Sequence, residues 1–251
     1  MSDEPSNEAA NSIVGVAFPP TQWSMVRRVQ HEGAEVEGAM NDFCRRYWQP
    51  IYSFVRGKGF GRPDAQDITQ SFFMKAVTGG LVQNADQARG RLRSFLLGAM
   101  ERHLADHLRH ENAVKRGGRA IVLPLECGDA EERFAKETAD YRDPESLFLA
   151  AWARALLDRV QDMVRDHYHK SGRGKMFDAL QPFLSLDDRA TPYADLAAQL
   201  GEKEAALRLN VFRMRKRFGK LLREEVSQTV ETEEELREEL DWLAKTLRGD
   251  G

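Results

Sequence analysis

Between residues 193 and 225 the sequence writes two helical periods on either side of a single glycine. Leu196, Ala197 and Leu200 recur at helical spacing ahead of Gly201, and Leu207, Val211, Met214, Phe218 and Leu221 follow it at intervals of four, three, four and three. Each set falls on one face of a helix, and glycine accepts the positive φ that a tight turn between crossed helices demands. A small residue in the first helix, a turn glycine and a basic second helix describe a helix-turn-helix. Arg208, Asn210, Arg213, Arg215, Lys216, Arg217 and Lys220 lie mostly off the apolar stripe. Arg and Asn can pair bidentately with guanine and adenine edges, whereas Lys mainly holds phosphates. Lys203, Arg208, Asn210, Arg213 and Lys216 are therefore the candidate duplex contacts. The competing reading is a basic, solvated helix in a bundle.

The rest of the chain is punctuated in the same way by Gly and Pro, with no internal repeat. Residues 1–19 are polar and expected to be disordered. Thr21 can cap a short helix to about residue 31, and 35–56 carries the stripe Met40, Phe43, Cys44, Tyr47, Ile51 and Phe54, with a kink expected at Pro50. Pro63 opens a helix running to about 77, closed by Thr78-Gly79-Gly80, and 86–115 reads as one long helix ending at Gly117-Gly118. Residues 119–143 read as a linker, with 120–123 extended and an acidic run behind. Asp143-Pro144 restarts a helix, and 176–184 is short and apolar. Thr232 and Glu235 make a capping box for a tail helix with Leu236, Leu240, Leu243 and Leu247 on one side. The expectation is an all-α protein. Residues 20–118 form a first helical domain, 144–226 a helix-turn-helix domain, and 227–251 an acidic extension.

Charge is segregated along this frame. The 251 residues carry a net charge of only −3, yet the blocks 1–10, 126–145 and 224–251 together hold −15 and leave +12 for the remainder. Much of that excess sits in 89–119 and 203–223, the distribution of a bipartite nucleic-acid reader with acidic connectors. The alternative is that opposite blocks neutralise each other within the fold. No run of about 18 apolar residues exists, and the N-terminus has neither a basic nor an apolar leader region. Cys44 and Cys127 have no paired spacing, so neither a disulfide framework nor a cysteine zinc site is indicated. These features point to the cytoplasm.

Two further stretches bear on function. In 64–73 the order acid, acid, Gln, aromatic is carried by Asp64, Asp67, Gln70 and Phe73; Ile68 and Phe72 share an apolar face, while Asp67, Gln70 and Met74 run along a neighbouring one. In 89–119, Arg89, Arg91, Arg93, Arg109, Lys115 and Arg116 alternate with Phe95, Leu96, Leu97, Leu104 and Leu108, behind a flexible loop containing Asn84. A basic helix beside a polar loop suits single-stranded DNA, whose phosphates track along charge while an unstacked base enters a pocket. A snorkelling surface helix explains the same pattern.

Trp23-Ser24, Tyr47 to Tyr52, Asp64 to Phe73, Gly90 to Leu97, Lys115 to Gly118, Pro144 to Phe148, Trp152-Ala153, Tyr193 to Leu200 and Arg215 to Phe218 together resemble bacterial sigma factors of the extracytoplasmic-function type, in a branch with a C-terminal extension. The similarity runs over about residues 20–248. It implies a promoter-melting domain, a linker and a helix-turn-helix domain for the minus-thirty-five element. By that resemblance Asp64, Asp67, Gln70 and Phe73 match the polymerase-clamp motif, and 79–90 matches the segment capturing a flipped base of the minus-ten element. The chain departs from the pattern at Asp106 and His110, where Asn and Arg are usual. Lys203 and Ala205 likewise replace a small polar residue and a glycine. The implied partners are bacterial core RNA polymerase, promoter DNA and an anti-sigma factor or other regulator, with no membrane partner.

Enzymatic readings find little footing. His103 and His107 have the spacing of a zinc-protease helix without the Glu that must follow the first His. Residues 172–176 lack the upstream Gly and the hydroxyl residue of a phosphate loop, and no nucleophile–base pair is suggested. The expectation is a non-enzyme with no cofactor and no metal. The alternative function is a stand-alone helix-turn-helix repressor or activator. The acidic tail is expected either to fold back against the recognition helix in competition with DNA or to pack permanently on the second domain.

Overall fold

Aromatic and branched side chains between residues 43 and 55 give the first helix more apolar surface than one stripe can hold. In the computed structural model, which describes residues 35–78, 91–113, 130–137, 143–184 and 192–248, that helix is α1 (Glu35–Gly57). Phe43, Cys44, Tyr47, Ile51 and Phe54 are buried as the stripe predicts, and Trp48, Tyr52 and Val55 are buried too. A helix buried this far round must be covered from several sides, and α1 packs against α2 (Arg62–Thr78), α4 (Ala130–Glu137) and α5 (Pro144–Lys170). Pro50 lies inside the helix, which continues through it. Burial pushes the Cys44 thiol up to about 11, so it behaves as a small apolar side chain.

All described elements are helical. After α2 come α3 (Leu92–Ala113), α4, α5, α6 (Gly174–Leu180) with a 3-10 turn at Gln181–Leu184, α7 (Tyr193–Leu200), α8 (Glu204–Ser227) and α9 (Glu233–Arg248). The expected short helix at 21–31, the disordered start, the loop at 79–90 and the extended run at 120–123 fall outside the described residues. The segment read as a linker contains α4, whose Ala130 and Phe134 enter the first core. Tyr52 Oη donates to Glu131 Oε2, and Arg56 forks onto the same carboxylate at 2.6 and 3.1 Å. Arg56 holds Glu131 below the usual carboxylate range, while burial and Glu131 push the Tyr52 phenol upward. Composition hid this helix because its eight residues carry only one large apolar side chain, Phe134.

The helix α5 joins the parts. Asp143 caps it, with Oδ1 accepting from Ser146 N at 2.9 Å, and Pro144 fills the first turn. Its start meets the end of α1 closely: a Cβ on Gly57 would stand 2.8 Å from Leu147 Cδ1 and 3.0 Å from Pro144 Cα. Leu147, Phe148 and Trp152 belong to the core of α1–α4, with the Trp152 ring stacked on Tyr47 at 5.0 Å. Ala153 and Leu156 pack with Val226, Leu236 and Leu243, and Val164 and Tyr168 enter the core of α6, α7 and α8. Arg46 of α1 and Arg159 of α5 flank the buried Glu225 of α8, at 3.8 and 3.6 Å. Helix packing therefore runs without a break across residue 144.

Trp152→Ala is expected to cost about 3–5 kcal/mol, as for truncation of a buried aromatic, measured by equilibrium denaturation. A loss under about 1 kcal/mol would mean that α5 does not anchor the first core.

Candidate nucleic-acid interface

The turn between α7 and α8 is built around Gly201, whose φ of 66° is the left-handed conformation the sequence demands there. Glu202 N donates to Ala197 O at 3.1 Å and closes the end of α7. Lys203 then stands at the N-cap of α8 in extended conformation, with Ala206 N and Leu207 N donating to its carbonyl. Leu196 from α7 and Leu207, Val211 and Met214 from α8 share one core with Phe177, Leu180 and Phe183. The Phe183 ring stacks on Tyr193 at 4.7 Å, and Arg215 Nε donates to Phe183 O at 2.9 Å. Arg215 thus fastens α8 to the 3-10 turn.

Opposite that core, α8 presents Lys203, Arg208, Arg213 and Lys216 as exposed side chains. Asn210 lies on the flank and is half-buried. The Arg208 guanidinium is committed locally: it donates to Glu204 Oε1 at 2.6 and 2.9 Å and lies 4.5 Å from the Tyr193 ring centre. Leu209 and Phe212, 47% and 64% exposed, stand on the outward side with these cations. Apolar side chains in such a place can meet thymine methyl groups. Their position off the buried stripe was the available signal, which attention to charge alone passes over.

In α2, Asp64 and Asp67 are exposed and Gln70 is half-buried, so the acidic edge is open to a partner. Phe73 is not part of that edge. It is fully buried, stacked on Trp48 at 5.7 Å and edge-on to Phe43 and Phe72 at 6.1 and 5.3 Å. In this conformation Phe73 fixes the helix and offers no surface to a partner.

The arginines of α3 divide into two groups. Arg109 is exposed and pairs with Asp106 at 2.5 Å, where Asp106 also takes Lys75 at 3.1 Å. The hydrogen bonds from Lys75 and Arg109 hold the Asp106 carboxyl below its usual range. Arg91 and Arg93, at the start of the helix, are instead met by the tail helix α9. Arg93 forks onto Glu239 at 2.7 and 3.1 Å and lies 4.2 Å from the Trp242 ring centre, while Arg91 pairs with Glu238. The tail is opened by the expected capping box, with Glu235 N donating to Thr232 Oγ1 and Thr232 N to Glu235 Oε2. Asn84, Arg89, Lys115 and Arg116 lie outside the described residues.

His103, one of the three histidines that raised a metal reading, meets Ser71 Oγ through Nε2 at 2.9 Å and packs edge-on to Phe72. Among the described residues no three His, Cys, Asp or Glu side chains converge as metal ligands would. Compared with known proteins, the chain matches no family profile, no curated protein and no solved structure.

Burial, reinforced by Lys75 and His107, pushes the His103 imidazole down from 6.5 to about 4. Between those values the unfolded chain binds a proton there that the folded chain refuses, so this group's effect on stability is a loss as pH falls through that window. Replacing it by Gln is expected to flatten the decline in thermal stability between about pH 6.5 and 4.5. An unaltered slope in His103→Gln would assign the decline to other groups.

Proposed function

We propose that this protein is a sigma factor, a dissociable subunit that binds bacterial core RNA polymerase and directs promoter recognition, DNA melting and transcription initiation. The observation that carries the reading is the α7–Gly201–α8 unit, with its outward face of cations and apolar tips. An exposed helix of this kind fits a major groove, where phosphate contacts position the protein and base contacts specify sequence. The open acidic edge of α2, at Asp64 and Asp67, is the second support, since a clamp-binding helix needs unburied carboxylates. Melting would be driven by binding energy, with captured bases offsetting the few kcal/mol that unstacking costs. The chain would perform no catalysis of its own, require no cofactor or metal, and act in the cytoplasm. Among the described residues no helix is long and apolar enough to cross a membrane.

The deciding experiment is co-purification with core polymerase, followed by start-site mapping and a footprint with and without polymerase. A second reading, a stand-alone repressor or activator, is favoured by the α8 face being open on its own. It requires a footprint without polymerase.

Asp67→Asn is expected to change stability by less than about 0.5 kcal/mol, as exposed substitutions do, and to reduce affinity for core enzyme sharply. Retained affinity in the folded variant would remove the clamp role from α2. On α8, Arg213→Ala is expected to lose about 1–3 kcal/mol at particular base pairs, whereas Lys216→Ala weakens all sequences alike. A uniform loss in both would make Arg213 a phosphate contact.

A further inference from the structure

The acidic helix α9 follows the basic helix α8 in the chain, but its central carboxylates turn elsewhere. Glu233 reaches an α8 cation, Arg223, at 2.5 Å. Glu238 and Glu239 instead meet Arg91, just before α3, and Arg93 in its first turn, far away in sequence, and Arg93 has only 13% of its side chain exposed. Glu239 is 2% exposed and also lies 3.5 Å from Arg91. Leu92 N donates to Thr229 O at 3.3 Å beside them.

The two sides of α9 are chemically different. Leu236 and Leu243 are buried against Leu156 and Val226, an apolar seam to α5 and α8. Toward α3 the helix offers carboxylates and the Trp242 face. A permanent strut gains nothing from burying charge, because a well-packed apolar pair holds as well or better. An arginine fork grips a carboxylate and a phosphate with the same geometry, so this side can be exchanged for a phosphate while the apolar seam stays closed.

We propose that α9 is a tethered competitor for nucleic acid. Glu238 and Glu239 occupy the Arg91–Arg93 pair in place of backbone phosphates, and α3 must part from α9 before a strand can bind there. The inference rests on the reading of α3 as a DNA-facing helix.

The test uses the full-length protein and a short fluorescent single strand of mixed sequence, titrated over a salt series. The double variant Glu238→Gln, Glu239→Gln is expected to bind several-fold more tightly, with a salt slope steeper by about 1.4, the value for two further phosphates on a single strand. Asp241→Asn, an exposed carboxylate on the same helix, is the control for diffuse charge and is expected to change neither. Equal tightening in Asp241→Asn overturns the proposal, as does an unchanged affinity and slope in a folded double variant. Should the double variant not fold, Glu238→Gln alone is expected to steepen the slope by about 0.7, and no change there overturns the proposal. If neither the wild-type protein nor any variant binds the strand, the DNA-facing reading of α3 fails and the proposal with it. If they bind equally, only the competition fails.

Discussion

One helix, α5, gives up its apolar side chains to three separate cores. Phe148 and Trp152 go to the first, Leu156 to the second, and Val164 and Tyr168 to the third. At 27 residues it is about 40 Å long, enough for a single element to reach all three cores. Burial of apolar surface supplies the driving force, at roughly 25 cal/mol per Å², and sharing one helix makes the three cores depend on each other. The Asp143 cap and Gly57, which lets the end of α1 approach, fix where that helix begins relative to the first bundle.

Charge works differently at the two candidate surfaces. On α8 the cations Arg213 and Lys216 stand outward over an apolar core, while Arg208 is tied to Glu204 and Tyr193 and Arg215 to the Phe183 carbonyl. On α3 the corresponding arginines at the helix start are enclosed by α9. Exposed pairs such as Arg109–Asp106 are screened by water and contribute little. The half-buried Arg93–Glu239 fork is screened less and holds its geometry. A protein with a net charge of −3 can therefore carry one open basic surface and one closed one.

The helix periods at Leu207–Leu221, Phe43–Phe54 and Leu236–Leu243, the glycine at 201, the cap at Asp143 and the capping box at Thr232 are local, and each was legible in the residues. A stripe at spacings of three and four has one helical solution, and a positive φ in a short turn has one common residue to fill it. The same local chemistry named Asp64, Asp67, Arg213 and Lys216 as outward groups, and the fold leaves them exposed. The resemblance, not the helix period, grouped Phe73 with the surface acids, and the bundle buries its ring against Trp48, Phe43 and Phe72. Trp48, Tyr52 and Val55 became core because neighbouring helices cover sides of α1 that its own stripe leaves open: Phe73 of α2 stacks on Trp48, and Glu131 of α4 meets Tyr52.

Sequence by itself determined that the chain is helical, where most helices start and stop, and which segments concentrate each sign of charge. Tertiary structure alone decided which charges meet. Glu238 and Glu239 could have faced α8, adjacent in the chain, but packing of Leu236 and Leu243 on α5 turns them toward Arg91 and Arg93. Pairing partners are set by the directions in which apolar stripes force helices to lie, and those directions are a property of the whole bundle.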